Sequence, residues 1–148
     1  MNRIHKKSKV ALIAEDDEDY FFLIKEVFEK LGSAIALRRV SNGEALMDYL
    51  LRPSSQADII LLDLNMPLKD GREALKEIKA HPELRKIPVV VLATSTDSDD
   101  VAASYALGAN SFVRKPLGFH QWMALAKTFE QYWLETVELP DDPDNGNH

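Results

Sequence analysis

Five short runs of apolar residues lie along the chain and alternate with segments of helical periodicity. The runs cover residues 10–14, 35–40, 59–62, 89–93 and 111–113. The first, third and fourth runs are continuous and β-rich, which is typical of strands that are covered on both faces. The second run contains Arg38 and Arg39, and the fifth is short. We therefore predict three buried strands and two edge strands.

The segments between these runs predict five amphipathic helices. Apolar side chains recur at helical spacing within residues 20–31, 46–50, 74–78, 101–105 and 119–133. Gly32 and Gly108 are suitable helix stops, and residues 96–99 offer capping groups for the fourth helix. Strands that alternate with helices form a parallel sheet with helices on both faces. The predicted fold is α/β: a flavodoxin-like, doubly wound (βα)₅ domain with strand order 2-1-3-4-5 and a ligand crevice at the carboxyl ends of strands one and three.

Composition narrows the classes of function. The 148 residues include 24 acidic and 18 basic side chains, and the net charge of −6 argues against a nucleic-acid partner. The absence of cysteine excludes disulfides, thiolate nucleophiles, iron–sulfur clusters and cysteine-ligated zinc. No apolar run is long enough for a membrane span or a secretory signal, so we expect no membrane association and a cytoplasmic protein.

The chain divides into three parts. Residues 1–8 form a basic N-terminal arm, residues 9–133 form the predicted domain, and residues 134–148 form a C-terminal tail. The tail is polar and broken by proline and glycine towards its end, so we expect it to be partly disordered. No segment that could form an output domain follows the fifth helix, which indicates a lone module.

Acidic residues lie at the ends of two strands that are neighbours in the predicted sheet. Glu15 and Asp16 follow the first strand, and Asp63 ends the third. A single acid of this kind could be a solvated loop residue, but clustered carboxylates destabilise a fold unless a cation neutralises them. An all-oxygen site without suitably spaced histidine or cysteine favours Mg²⁺. Lys115 ends the fifth strand and is expected to enter the same crevice as a counter-ion, and the Lys115–Pro116 bond is a candidate cis peptide.

Several short motifs occur in order at the predicted strand and helix ends. They are Glu15-Asp16, Asp63-Leu-Asn-Met-Pro67, Asp70-Gly71, Gly108-Ala109 and Lys115-Pro116. With these motifs, residues 9–133 resemble a two-component response regulator receiver domain. Residues 63–72 and 132–140 resemble, more narrowly, the stand-alone regulators that serve bacterial and cyanobacterial phytochrome histidine kinases.

The resemblance implies a role for each crevice residue. Asp63 would accept a phosphoryl group from a sensor histidine kinase in a Mg²⁺-dependent reaction, as one step of a phosphorelay. Asp16 would ligate the metal directly, Glu15 would act mostly through a bound water, and the backbone carbonyl of Asn65 would complete the protein ligands. Lys115 would pair with the phosphoryl group. Such a module catalyses only its own phosphorylation and dephosphorylation and is not otherwise an enzyme.

The C-terminal segment carries more apolar surface than the fifth helix needs. Tyr132 lies off the main apolar stripe, beside Trp133 and ahead of Leu134, Val137 and Leu139. Exposed apolar surface of this kind is typical of a partner interface. The resemblance to phytochrome regulators implies the same, and we expect a homodimer that uses the fifth helix and the tail.

One position departs from the receiver pattern. Receivers usually place threonine or serine at the end of the fourth strand, where its hydroxyl bonds a phosphoryl oxygen, but this chain has Ala93 followed by Thr94. The aromatic residue that moves with this hydroxyl corresponds to Phe112. Either Thr94 shifts into the role, or the hydroxyl is absent and the switch is weak. Strand register favours the weak switch, because it fixes which side chains face the crevice.

Three other classes of protein compete with this interpretation. A phosphatase of the haloacid-dehalogenase type needs a second acid two positions after the nucleophile, and Asn65 stands there instead. A flavodoxin needs a phosphate-binding loop after strand one, where Glu15 and Asp16 would repel the phosphate. The remaining alternative is a non-phosphorylated pseudo-receiver that only binds partners. The intact acids and Lys115 count against it, and Ala93 counts for it.

Overall fold

The structure is a computed structural model that describes residues 9–94 and 97–140. Strands and helices alternate along the whole domain. The elements are β1 (Val10–Ala14), α1 (Glu18–Lys30), β2 (Ala36–Val40), α2 (Gly43–Leu50), β3 (Ile59–Asp63), α3 (Gly71–Ala80), β4 (Val89–Ala93), α4 (Ser98–Ala106), β5 (Ser111–Arg114), α5 (Phe119–Phe129) and a π-helical segment (Glu130–Thr136). The five strands are parallel and lie in the order β2-β1-β3-β4-β5, which confirms the predicted fold.

The sheet separates two apolar layers. On one side, Leu12 and Leu62 pack with side chains of α2 and α3, and on the other side Ile13 and Leu61 pack with side chains of α1 and α5. Every residue of β1, β3 and β4 is buried, as expected for strands with helices on both faces. The residues of β2 and β5 are partly exposed, which confirms that these strands form the edges. Compared with the predicted runs, β2 begins one residue later and β5 ends one residue later.

Helix α4 packs differently from its prediction. Val101 and Tyr105 are the apolar residues that predicted this helix, but Ser104 is its buried residue and Tyr105 is 49% exposed. The Ser104 hydroxyl is satisfied by the carbonyl of Asp100, 2.8 Å away. The Tyr105 hydroxyl instead accepts a hydrogen bond from the backbone N–H of Phe112 at 3.1 Å. Tyr105 therefore covers a donor on the open edge of β5.

The C-terminal part of the described chain is helical beyond α5. The π-helical segment continues α5 through Thr136 and so crosses the boundary expected after residue 133. Its Tyr132 and Trp133 rings meet edge to face, with centroids 5.0 Å apart. A cavity of about 180 Å³ lies between these rings, α5 and the β4–β5 side of the sheet. The predicted basic arm and residues 141–148 of the predicted tail lie outside the described residues.

Within residues 9–94 and 97–140, no helix is long and apolar enough to cross a membrane. The Lys115–Pro116 bond, a candidate cis peptide on sequence grounds, is trans, as is every other peptide bond there.

The loop between β3 and α3 holds one strained residue. Leu68 has a φ of 64°, which lies in the left-handed region that non-glycine residues rarely adopt, and its side chain is 74% exposed. Because the Leu68 side chain is exposed, it contributes no packing free energy that would offset the free-energy cost of this backbone conformation. The loop is nevertheless tied down on both sides, because Gly43 N–H donates to the Lys69 carbonyl and Gly71 N–H donates to the Leu64 carbonyl.

Replacing Leu68 by asparagine should stabilise the protein. Asparagine tolerates the left-handed region better than leucine, so Leu68→Asn should raise the free energy of unfolding by about 1 kcal/mol, measured by urea denaturation. Leu51 is the matched control, because it is 55% exposed but has a φ of −87°. Leu51→Asn should change the stability by less than about 0.5 kcal/mol. Equal effects of the two substitutions would show that Leu68 stores no strain.

Candidate functional site

Three carboxylates converge at the carboxyl ends of β1 and β3. These strands pair in parallel with Ala14 beside Leu62, so the residues that follow them emerge side by side. Oxygen atoms of Glu15, Asp16 and Asp63 all lie within 4.8 Å of one another. Glu15 and Asp63 are almost fully buried, with 2% and 4% exposure, whereas Asp16 is exposed. The structure therefore brings together the three acids that the sequence singles out.

Lys115 supplies the positive charge of this crevice. Its Nζ lies 2.8 Å from Glu15 Oε1 and 3.3 Å from Asp63 Oδ2, and it donates a hydrogen bond to the Asp63 oxygen. The backbone N–H of Lys115 donates to the carbonyl of Ala93 at 2.8 Å, which fixes the start of the side chain at the end of β4. One ammonium thus faces two buried carboxylates.

Burial controls the protonation of these groups. It raises the pKa of Glu15 and of Asp63, and for both residues the desolvation outweighs the opposing contacts with neighbouring N–H groups and with Lys115. Burial alone would lower the pKa of Lys115, but the contacts with the two carboxylates outweigh it and the pKa is raised. The ammonium is therefore held charged, and the buried acids lack sufficient compensating charge.

These residues fit a divalent cation. The donor set consists of oxygen atoms, as hard cations such as Mg²⁺ and Mn²⁺ prefer. Glu15 Oε1 is a buried oxygen that accepts no well-formed hydrogen bond within the described residues, although it forms the ion pair with Lys115. Asp16 adds an exposed carboxylate at the mouth of the crevice. A cation bound here would offset the charge that Lys115 leaves uncompensated.

The loop after β3 holds the Asp63 carboxylate in place. The backbone N–H of Asn65 donates to Asp63 Oδ1 at 3.1 Å, so the side chain of Asp63 is fixed by its own loop. Gly71 lies directly against this turn, and a Cβ atom there would come within 2.4 Å of the Asp63 carbonyl. Glycine is required at this position because the start of α3 approaches the β3 backbone so closely. The metal-ligand role expected for the Asn65 carbonyl stays a prediction.

The structure places the two hydroxyl candidates differently from each other. Ala93 is the last residue of β4, pairs with Arg114 and is 1% exposed. Thr94 follows the strand and is exposed. Phe112, on the neighbouring strand, is half-buried and pairs with Val91. The strand end itself therefore carries a methyl group rather than a hydroxyl, and the role of Thr94 stays a prediction.

Arg39 is a site residue that sequence reasoning missed. Its Nε donates to the Glu15 carbonyl at 2.9 Å and its Nη2 donates to the Asp16 carbonyl at 3.1 Å. The guanidinium thereby clamps the loop that carries two of the three acids. In the sequence, Arg39 served only as a sign of an edge strand. The sequence does carry one sign of this role, because Arg39 is a charged residue near the carboxyl end of β2, the strand that pairs with β1.

Tyr20 is the second missed residue. Sequence reasoning assigned it to the apolar face of α1, but its ring lies 4.5 Å from Lys115 Nζ, as the distance to the ring centroid. Its hydroxyl donates to the carbonyl of Pro116 at 3.1 Å and accepts a hydrogen bond from Trp122 Nε1 at 2.7 Å. Burial raises the pKa of Tyr20, so the phenol remains a donor at neutral pH.

Comparisons with known proteins agree with this arrangement. The response regulator receiver domain family matches residues 11–127. The response regulator Rcp1 of Synechocystis sp. is 42% identical over 137 residues, which cover 89% of this chain and 93% of Rcp1. The probable methanogenesis regulatory protein FilR2 of Methanothrix harundinacea is 38% identical over 129 residues, which cover 84% of this chain and 83% of that protein.

Solved structures show the same likeness. The phosphorylated cyanobacterial phytochrome response regulator RcpA superimposes with a TM-score of 0.85 at 38% identity, over 91% of this chain and all of that one. The Mn²⁺-bound form of Rcp1 superimposes with a TM-score of 0.82 at 41% identity, over 90% of this chain and 99% of that one. The chain therefore belongs to the response regulator receiver domain family.

Proposed function

We propose that Asp63 accepts a phosphoryl group from a sensor histidine kinase and that partner proteins read the phosphorylated state. The observation that carries this proposal is the buried Asp63 carboxylate, 3.3 Å from Lys115 Nζ and within 4.8 Å of the other two acids. The likeness to RcpA and Rcp1 supports a kinase of the phytochrome type. Such signalling would take place in the cytoplasm and needs neither nucleic acid nor a membrane.

The geometry suits in-line phosphoryl transfer. A carboxylate oxygen of Asp63 attacks the phosphorus of a phosphohistidine, the new O–P bond forms as the P–N bond breaks, and the histidine nitrogen leaves with the bonding electrons. Lys115 lies beside the attacking carboxylate and neutralises charge on the phosphoryl oxygens. Little further chemistry is required from the protein, so the chain would catalyse its own phosphorylation without acting on other substrates.

We propose that the resident cation is Mg²⁺. Asp16 and Asp63 would hold it by their carboxylates, Glu15 mostly through a water molecule, and Asn65 by its backbone carbonyl. A Mg²⁺ ion bound there would supply positive charge to the phosphoryl oxygens, in addition to the charge of Lys115. The buried, incompletely compensated acids support this assignment, as does the Mn²⁺ in the related Rcp1 structure.

A pseudo-receiver that is never phosphorylated is the second candidate. The methyl group of Ala93 at the end of β4 favours it, because no hydroxyl stands there to bond a phosphoryl oxygen. This alternative and the proposed function give opposite results in the labelling experiment.

Asp63 should be the labelled residue. We expect incubation with acetyl phosphate and Mg²⁺ to add one phosphoryl group, detected by intact mass, and Asp63→Asn to abolish the gain. Asp48 is an exposed carboxylate on α2, so Asp48→Asn is the matched control and should label like the wild type. Asp16→Asn should weaken Mg²⁺ binding because it removes a charged ligand. An unlabelled wild type would favour the pseudo-receiver, and a label retained in Asp63→Asn would refute the assignment.

Arg39 should control metal affinity without being a ligand. A lysine ammonium does not reproduce the fork that bonds the Glu15 and Asp16 carbonyls, so Arg39→Lys should weaken Mg²⁺ binding roughly 10-fold. Isothermal titration measures the affinity. Arg38, the exposed neighbour on β2, provides the control variant Arg38→Lys, which should bind Mg²⁺ normally. Equal Mg²⁺ affinities in the Arg39→Lys and Arg38→Lys variants would show that the Arg39 hydrogen bonds do not affect metal binding.

The switch should be weak because of Ala93. A hydrogen bond to a charged group contributes about 1.5–3 kcal/mol, so its absence changes the active-state population ~10- to 150-fold. Ala93→Thr should therefore strengthen the change in dimerisation on adding beryllofluoride, a phosphoryl mimic, while Asp63 still labels. A wild type that already switches fully, together with loss of switching in Thr94→Ala, would instead assign the hydroxyl role to Thr94.

We propose that the chain forms a homodimer through α5 and the following segment as far as Leu139. Tyr132 is 50% exposed there and lies at the cavity beside the half-buried Trp133. Tyr132→Ser should shift the sedimentation profile towards monomer at tens of micromolar, and truncation after Phe129 should have a larger effect. Phe22→Ser alters a similarly exposed aromatic residue on α1 and should leave the dimer intact. A monomeric wild type, with and without beryllofluoride, would contradict the interface.

A further inference from the structure

The Tyr20 phenol connects the charged crevice to α5. Its ring face contacts the Lys115 ammonium at 4.5 Å, and its hydroxyl bridges the Pro116 carbonyl and the Trp122 indole N–H. Trp122 is 2% exposed, and the two rings meet nearly edge to face with centroids 6.0 Å apart. One side chain therefore contacts the active-site lysine, the loop that follows it and the core of α5.

The aromatic contact restricts a side chain that would otherwise have several positions. The four-carbon stem of lysine is flexible, and the ammonium has two competing carboxylates, at 2.8 Å and 3.3 Å. A ring face attracts an ammonium without donating or accepting a proton, so it biases the lysine towards one position without neutralising it. Tyr20 thus adds an uncharged contact to the ammonium, beside its contacts with the two carboxylates.

The same phenol is placed to respond when the crevice changes. A phosphoryl group on Asp63 would draw the ammonium away from Glu15 and alter its contact with the Tyr20 ring. The Pro116 carbonyl follows Lys115 directly in the chain, and the backbone N–H of Trp122 is bonded to the Gly118 carbonyl in the same loop. A displacement of Lys115 is therefore coupled to α5 by two hydrogen bonds of one hydroxyl.

We propose that Tyr20 is a positioning residue that holds Lys115 for phosphoryl transfer and relays the state of Asp63 to Trp122 on α5. This inference rests on the proposed phosphorylation of Asp63. The relay does not use the end of β4, where Ala93 offers no hydroxyl. It gives the chain a route from the crevice to α5, the helix that we assign to the dimer.

Two substitutions separate the ring from the hydroxyl. Tyr20→Leu removes both, and should slow labelling by acetyl phosphate roughly 3- to 30-fold while Mg²⁺ affinity stays unchanged. Tyr20→Phe keeps the ring and should restore labelling to within about twofold of the wild type. Phe22→Leu removes an exposed aromatic side chain from the same helix and is the control that should label normally.

Trp122 fluorescence tests the relay itself. The chain has two tryptophans, so a Trp133→Phe background isolates Trp122. In this background we expect Mg²⁺ and beryllofluoride to shift the Trp122 emission, and Tyr20→Phe to reduce the shift to less than half. If Tyr20 had only a structural role, its substitution would lower folding stability. Tyr20→Phe would then not keep a near-normal labelling rate while losing the emission response.

The outcomes distinguish the relay from the proposed function. In a wild type that labels, normal labelling of Tyr20→Leu would overturn the positioning role. A full emission shift in Tyr20→Phe would overturn the relay. Neither result would affect the proposed function. An unlabelled wild type would overturn the proposed function and the relay with it. If Tyr20→Leu does not fold, the labelling and emission of Tyr20→Phe decide, because that variant keeps the ring in place.

Discussion

The Lys115 ammonium lies against two buried carboxylates, and the ends of three strands bring these charged groups together. The strands β1 and β3 are buried on both faces and deliver Glu15 and Asp63 to the same edge of the sheet. The end of β4 then fixes Lys115 through the Ala93 carbonyl. Because burial raises the pKa of both acids, the crevice favours any ligand that brings positive charge. Any affinity for a cation would therefore be a consequence of where the core places its charges.

Hydrogen bonds and a close backbone approach hold the loops around the crevice. Arg39 clamps the loop after β1, and Asn65 and Gly71 fix the turn after β3. The Arg39 contacts are to backbone carbonyls, whereas the Asn65 N–H bonds one carboxylate oxygen of Asp63 and leaves the other oxygen facing Lys115. The strain at Leu68 lies in the same β3–α3 loop, between the anchored Lys69 and the turn that follows Asp63. The strained residue therefore lies in a loop at the same end of the sheet as the carboxylates.

Much of this arrangement could be predicted from the sequence, because it depends on local patterns. Continuous apolar runs identified the buried strands, and acids at strand ends identified the crevice. The roles of Tyr20 and Arg39 could not be predicted, because they depend on contacts with residues that are far away in the sequence. The Tyr20 hydroxyl and the Trp122 indole are 102 positions apart, and a helical apolar stripe gives no sign of such a partner. In α4 the pattern was wrong, since Ser104 satisfies its hydroxyl within the helix and can be buried in place of a larger side chain.

The hydroxyl of Tyr105 has a consequence for solubility. An edge strand presents N–H groups that a strand from another molecule can pair with, and such pairing begins many aggregation processes. By accepting the hydrogen bond of Phe112, Tyr105 occupies one of these donors on β5. The strand has only four residues, so blocking one donor leaves a short and interrupted template. A half-exposed side chain of α4 therefore limits the ability of this edge to extend the sheet.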